Sequence, residues 1–292
     1  MSVAQGQLPP EVAEPAELRA WVAGRRAAGE RVAFVPTMGF LHEGHLRLVD
    51  EARRRADRVV MSIFVNPLQF APTEDLDRYP RDLPRDRALA GDRGVDLLFV
   101  PSAATMYPPG SETRVIPGAT AERWEGASRP GHFAGVLTVV AKLFNLVQPD
   151  VACCGQKDIQ QATLVRRMVL DLDMPVEVVV VPTAREADGL ALSSRNVYLS
   201  AAERAEALGL SAALRAAHEA WRAGVRSAAE IERRARARLE VHPGIAVEYI
   251  AVVDPGTLAP VEGVDERTVV ALAGRVGRTR LIDNIILGRG IA

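Results

Sequence analysis

Short apolar runs alternating with segments of helical period organise the first two-thirds of this chain. Val32-Ala33-Phe34-Val35 and residues 59–65, 95–100, 151–154 and 176–181 are almost continuously apolar, as strands buried on both faces are. Between them, residues 16–28, 44–56, 83–92, 133–147 and 159–171 carry apolar side chains three and four apart, the spacing of helices with one buried face. Gly29 ends the first helix and Pro36 closes the first buried strand. Strand–helix alternation of this kind predicts a parallel sheet covered on both sides, a Rossmann-like, doubly wound α/β domain.

The pattern changes near Pro182. Residues 201–240 are rich in Ala, Arg and Glu and read as two helices separated at Gly224, and alternating runs follow at 246–253, 268–273 and 279–287. Helices followed by strands, without alternation, predict a smaller α+β domain, giving two domains over residues 1–183 and 184–292. Residues 1–14 are rich in Pro, Gln and Glu and are expected to form a loose arm.

Composition narrows the choice of function. The 292 residues carry a formal net charge of −1 and are 48% hydrophobic and 25% charged, so no global field recruits nucleic acid or an anionic membrane. The two cysteines, Cys153 and Cys154, are sequence neighbours. In a strand they point to opposite faces, which argues against a disulfide between them and for a reducing compartment. Neither a membrane-length apolar run nor a basic-then-apolar leader is visible, and the expected location is the cytoplasm. Of 36 basic residues only Lys142 and Lys157 are lysine. Lys142 falls in an apolar helical stretch and reads as a snorkelling edge residue; Lys157 has more telling neighbours.

The stretch Pro36-Thr-Met-Gly-Phe-Leu-His-Glu-Gly-His45 runs from the end of the first strand into a helix, where open parallel sheets bind ligands. Gly39 and Gly44 permit close backbone approach. His42 and His45, three apart, lie on one side of a helix start whose free N–H groups already favour anions. Two imidazoles there suit phosphate oxygens that gain charge during attack at phosphorus. The plainer alternatives are two capping histidines or half a metal site, and no nearby cysteine or third histidine completes the latter.

Gly155-Gln156-Lys157-Asp158-Ile159-Gln160-Gln161 follows the fourth strand and opens another helix. Lys157 can meet a phosphate oxygen as a point charge, Asp158 is at minimum an N-cap, and Gln161 lies one turn further in. Ser193-Ser194-Arg195-Asn196 places two hydroxyls and a guanidinium in a polar loop that suits a leaving pyrophosphate. Asn66-Pro67-Leu68-Gln69 follows the second strand, and the Gln69 amide can donate and accept toward a hydroxy acid. Asp75, Asp77, Asp82 and Asp86 come next. Magnesium accompanying a nucleotide is often held mostly by phosphates and water; Asp86 is the one protein ligand singled out, and solvated surface charge is the ordinary fate of such a group.

The His-x-x-His motif resembles that of the adenylyl-transferring superfamily of Rossmann-like enzymes. The stretches 36–45, 66–70, 74–81, 129–142, 155–161 and 188–200, in this order and spacing, resemble the pantothenate synthetase family across nearly the whole of 32–287. The resemblance implies condensation of pantoate with β-alanine, ATP being cleaved to AMP and pyrophosphate through a pantoyl-adenylate. It places ATP against Met38, Gly39, Phe40, Leu41, His42, Glu43, Gly44 and His45, against Gly155, Gln156, Lys157 and Asp158, and against Leu192, Ser193, Ser194 and Arg195, with Ala184 contributing through its backbone. Leucine at 192, where methionine is also common, is a mild departure. Gln69 and Gln161 would hold pantoate, Gln69 also bordering the β-alanine site. His45 would be the proton donor, His42 its phosphate-stabilising companion, and Lys157, Ser193, Ser194 and Arg195 further catalytic groups. ATP as substrate with Mg2+, no tightly bound organic cofactor and a cytoplasmic homodimer are implied as well. A nucleotidylyltransferase shares the histidine pair, but its phosphate substrate calls for basic groups where Gln69 and Gln161 are neutral. A nucleotide-binding module without catalysis would lack some of these side chains.

Overall fold

A computed structural model of the chain describes residues 8–72 and 74–291. In chain order it contains β1 (Glu11–Val12), α1 (Pro15–Ala27), β2 (Val32–Thr37), α2 (Glu43–Arg55), β3 (Arg58–Ile63), α3 (Leu83–Asp92), β4 (Leu97–Phe99) and the single turns α4 (Ala103–Met106) and α5 (Glu125–Ser128). α6 (His132–Val147), β5 (Val151–Gly155), α7 (Ile159–Asp171) and β6 (Glu177–Val181) follow, then α8 (Ala201–Arg222), α9 (Ala228–Leu239), β7 (Ile245–Val253), β8 (Val269–Val276) and β9 (Thr279–Ile286).

The first compact unit comprises the described residues of Met1–Gly118, Arg129–Gly155 and Leu164–Val181. Its sheet has six parallel strands in the order β1-β4-β3-β2-β5-β6. The chain steps outward from β2 through β3 to β4, then returns to add β5 on the other side of β2. The carboxyl ends of β2 and β5 therefore flank the point where strand order reverses, the place where such sheets take ligands. Residues 32–35 of β2 are fully buried because both faces are covered. Ala33 and Val35 join Leu48, Val49 and Ala52 of α2 in one core, while Phe34 points the other way and meets Phe144 of α6 edge-on at 6.3 Å. Pro36 does not close the strand. It pairs in parallel register with Ser62 and the strand runs on to Thr37. Part of the expected loose arm is also ordered, since Glu11–Val12 adds an edge strand beside β4.

The second unit comprises Ala119–Ser128, Gln156–Thr163 and the described residues of Pro182–Ala292. Its antiparallel sheet, β7-β8-β9, packs one face on α8 and α9 through Leu210, Leu214, Ile231, Leu272 and Ile285. The other face, around Ala251, Val253, Leu258 and Val269, is met by Trp124 and Ile159 from the two earlier segments. Both cysteines are buried free thiols, and burial pushes Cys153 up to about 12, so it stays protonated.

Candidate active site

Beyond β2 the loop is shaped by its own hydrogen bonds. Thr37 Oγ1 donates to Ser62 O at 2.7 Å and accepts from Gly39 N–H at 3.2 Å. Gly39 has φ +81°, and a Cβ there would lie 2.9 Å from both Asp86 Oδ2 and Ile63 Cγ2, so only glycine fits. Phe40 follows at φ 49°. These two left-handed residues turn the N–H groups of Phe40 and Leu41 onto the two oxygens of Asp86, at 2.7 Å each. Asp86 is 1% exposed. Burial lifts its carboxyl above the usual aspartate range against the pull of those two donors. The residue singled out for magnesium is thus a buried clamp on the loop, with each oxygen already bound to a backbone amide. Among the described residues no group of three or more His, Cys, Asp or Glu side chains is placed to hold a metal ion.

His42 is the N-cap of α2. Its Nδ1 accepts from Gly44 N–H at 3.1 Å, and His45 Nδ1 accepts from His42 N–H at 3.3 Å. The two histidines thereby form a reciprocal capping box, in positions where Ser or Thr and Glu or Gln are usual. Their ring centroids are 4.0 Å apart, the planes tilted by 33°. A ring nitrogen that accepts a hydrogen bond carries no proton, so each neutral imidazole holds its hydrogen on Nε2. The cap sets the tautomer of both rings at the start of α2. Glu43 turns instead to Arg93, at 2.7 Å.

Gln69 ends a short 3-10 turn, Pro67–Gln69, and is buried. Asn66 Nδ2 donates to Gln69 Oε1 at 3.0 Å and to Gly135 O at 3.1 Å, and Tyr107 Oη donates to Asn66 Oδ1 at 2.8 Å. Gln69 Nε2 in turn donates to Met38 Sδ at 3.3 Å, which brings it beside the histidine loop. Burial pushes the Tyr107 hydroxyl up to about 12, so it remains a donor. Lys142, expected to snorkel, instead donates to Met106 O and lies 5.8 Å from the centroid of the Tyr107 ring. The backbone of Gln69 is held separately. Its carbonyl accepts from His132 Nδ1–H at 2.8 Å and from Arg129 Nη2–H at 3.3 Å, and Arg129 makes a two-pronged bond to Glu74 at 2.5 and 2.8 Å.

At the end of β5, Gly155 has space around it. A Cβ there would meet nothing within 4 Å, and its φ lies outside the left-handed region. Neither packing nor backbone strain within the first unit calls for glycine at this position.

In the second unit, Gln156–Asp158 forms a 3-10 turn ahead of α7. The Lys157 side chain is 21% exposed, its Nζ 3.9 Å from Asp158. Gln160 and Gln161 part company. Gln160 is buried, accepting from Glu125 N–H and donating to Thr120 O and Arg123 O at 3.0 Å each, whereas Gln161 is half-buried. Residues 184–192 form a tight hairpin in which Leu192 N–H donates to Ala184 O at 2.9 Å. Ser193 caps the 3-10 turn Ser194–Tyr198 by accepting from Arg195 N–H at 3.3 Å. Ser194 is buried. Under this hairpin Arg185 is paired in two-pronged fashion with Asp283, at 2.6 and 2.9 Å.

Sequence reasoning passed over Tyr107, Asp283 and Asn284. Tyr107 sits between the apolar run 95–100 and the helical stretch 133–147, where no element was expected, and its partner Asn66 lies 41 residues away in the chain. The polar pair Asp283-Asn284 inside the apolar run of β9 is a signal the sequence does carry.

A family model for pantoate-beta-alanine ligase matches residues 11–286. The pantothenate synthetase of Moorella thermoacetica is 52% identical over 272 residues, covering 93% of this chain and 96% of its own length. That of Agrobacterium fabrum is 55% identical over 275 residues, covering 94% of each. The crystal structure of the Thermus thermophilus pantothenate synthetase superposes with a TM-score of 0.91 at 53% identity, over 95% of this chain and 99% of that one. The Francisella tularensis pantoate-beta-alanine ligase, complexed with beta-gamma ATP and beta-alanine, gives 0.77 at 32% identity over 97% and 100%. With matches of this extent over both units, the chain belongs to the pantoate-beta-alanine ligase family.

Proposed function

We propose that the chain condenses pantoate with β-alanine, cleaving ATP to AMP and pyrophosphate, through a pantoyl-adenylate. The observation that carries this reading is the histidine capping box at the carboxyl end of β2, with the neutral Gln69 amide tied to Met38 beside it. In the first step a pantoate carboxylate oxygen attacks the α-phosphorus, and the bond to the β-phosphate oxygen breaks with its electron pair leaving on pyrophosphate. In the second, the β-alanine amine attacks the acyl carbon, AMP departs and the amine gives up its proton.

Each residue group has a part in this scheme. The backbone from Met38 to His45 and the Nε2–H groups of His42 and His45 receive phosphate oxygens as charge grows on them. Gly155 lets the nucleotide approach the backbone at the end of β5, and Gln156, Lys157 and Asp158 are further ATP-binding residues, Lys157 as the cation. Leu192, Ser193, Ser194 and Arg195 draw off the pyrophosphate, and Ala184 contributes backbone. Gln69 and Gln161 hold pantoate by hydrogen bonds suited to a hydroxy acid. Magnesium would enter with the triphosphate as part of the substrate, held mostly by phosphate oxygens and water. No helix of the described chain is long and apolar enough to cross a membrane. A homodimer would have the exposed Leu170 and Leu172 and the sheet edge at β6 as surfaces open to a second copy.

Incubation with ATP, pantoate and β-alanine should yield AMP and pantothenate in equal amounts. Oxygen isotope placed in the pantoate carboxylate should appear in AMP. Isotope retained wholly in pantothenate would rule out the adenylate.

A further inference from the structure

Asn284 lies in β9, 1% exposed, and its backbone is fixed on both sides. Its N–H donates to Asp283 Oδ1 at 2.7 Å and its carbonyl accepts from Arg185 Nη2 at 3.4 Å, the same arginine that grips Asp283. So held, its side-chain Nδ2 donates to Gln156 O at 2.8 Å and to Lys157 O at 2.9 Å, while its Oδ1 accepts from Gln156 Nε2 at 3.2 Å. The two carbonyls belong to the peptide planes before and after the Lys157 Cα. Fixing both planes fixes the direction in which the Lys157 side chain leaves the backbone.

We propose that Asn284 is a positioning residue for Lys157, aiming its ammonium at the nucleotide without touching it. This rests on the reading of Lys157 as a phosphate ligand. An amide suits the task because one nitrogen supplies two donors and the oxygen an acceptor, matching the three groups that the turn presents. Such a residue fixes geometry through the chain, and a small misplacement at a reacting centre is costly in rate.

The test is a double-mutant cycle between Asn284→Ala and Lys157→Ala, read as kcat/KM for ATP, with thermal unfolding followed for every variant. Lys157→Ala should lower kcat/KM by roughly a hundredfold, as loss of an electrostatic contact to the transition state does. Asn284→Ala should lower it by about tenfold in the wild-type background and by less than twofold once Lys157 is gone. Its effect on unfolding temperature should be the same in both backgrounds. If Asn284→Ala does not fold, Asn284→Ser keeps one donor and should show a smaller loss with the same non-additivity. A full tenfold loss persisting in the Lys157→Ala background would overturn the positioning role and leave Lys157 as a ligand. A harmless Lys157→Ala would overturn both.

Discussion

At the scale of single residues, the distinction that matters is between groups the protein itself requires and groups it does not. Gly39 is required, because a Cβ would strike Asp86 and Ile63. Gly155 is not, since a Cβ would meet no described atom within 4 Å. Alanine at 155 should therefore raise stability slightly, by about 0.4–1 kcal/mol, through the less flexible unfolded chain, and yet weaken ATP binding at least tenfold. Chemical unfolding and ATP titration on the same preparation decide it. Normal ATP affinity in Gly155→Ala would remove the nucleotide from this position. His45 invites a different contrast. Its ring is half of a capping box, and losing a cap costs on the order of 1 kcal/mol of stability, whereas losing a donor to a developing oxyanion costs roughly 100- to 1000-fold in rate. His45→Ala should thus depress kcat far more than it raises KM for ATP. His45→Gln, which can restore the capping bond, should recover stability but not rate. Recovery of both would make His45 a cap and nothing more.

At the scale of elements, the turn after β3 is held in place by the amino-terminal end of α6. Glu74, Arg129 and His132 secure the carbonyl of Gln69, and Gly135 lets α6 approach so closely that a Cβ would fall 2.1 Å from Leu68 O. Little of this was legible in the sequence. The turn itself could be read from Asn66-Pro67, and the helix from its apolar spacing, but the bonds between them join residues some sixty positions apart. The ionic part has a pH signature. Burial pushes the Glu74 carboxyl up, but hydrogen bonding and charge from Arg129, with help from Ala71 N–H, outweigh it and leave the group below the usual glutamate range. A carboxyl lowered on folding contributes stability that is present above its unfolded value, about 4.3, and is lost as pH falls through the folded one. Glu74→Gln should therefore be less stable than wild type at neutral pH and raise KM for pantoate severalfold. The stability gap should close as the pH is taken below the ordinary glutamate range. Denaturant unfolding between pH 7 and 3 measures it, and a gap that stays constant or widens in acid would refute the assignment to Glu74.

At the scale of the whole molecule, strand and helix order was legible almost throughout, because β2, β3 and β5 are apolar runs buried in the sheet, whereas the equally apolar run of β6, read as buried on both faces, is a half-buried edge strand. What local pattern could not reveal is where Ala119–Ser128 and Gln156–Thr163 go, since their hydrogen-bond partners in the later part of the chain lie 92 to 155 residues ahead. Glu125 receives Arg280 in a two-pronged bond at 2.7 Å and the Tyr249 hydroxyl at 2.8 Å. Trp124 Nε1 donates to Leu258 O at 3.0 Å, and its ring packs with Ile159 on the apolar face of the β7–β8–β9 sheet. Burial and the Glu125 carboxylate together raise the Tyr249 hydroxyl far above its ordinary value, so it is a permanent donor that needs its acceptor. A fragment consisting of residues 182–292 keeps α8, α9 and all three strands but loses Glu125, Trp124, Ile159 and the turn that satisfies Asn284. Each buried polar group left unpaired costs about 1–3 kcal/mol, against a total stability of about 5–15 kcal/mol for a typical domain. The fragment should consequently keep helical circular dichroism, bind a hydrophobic dye and unfold without a cooperative transition. Sharp unfolding together with a dispersed amide spectrum would show that the two earlier segments are dispensable, and that α8 and α9 alone suffice to hold the antiparallel sheet.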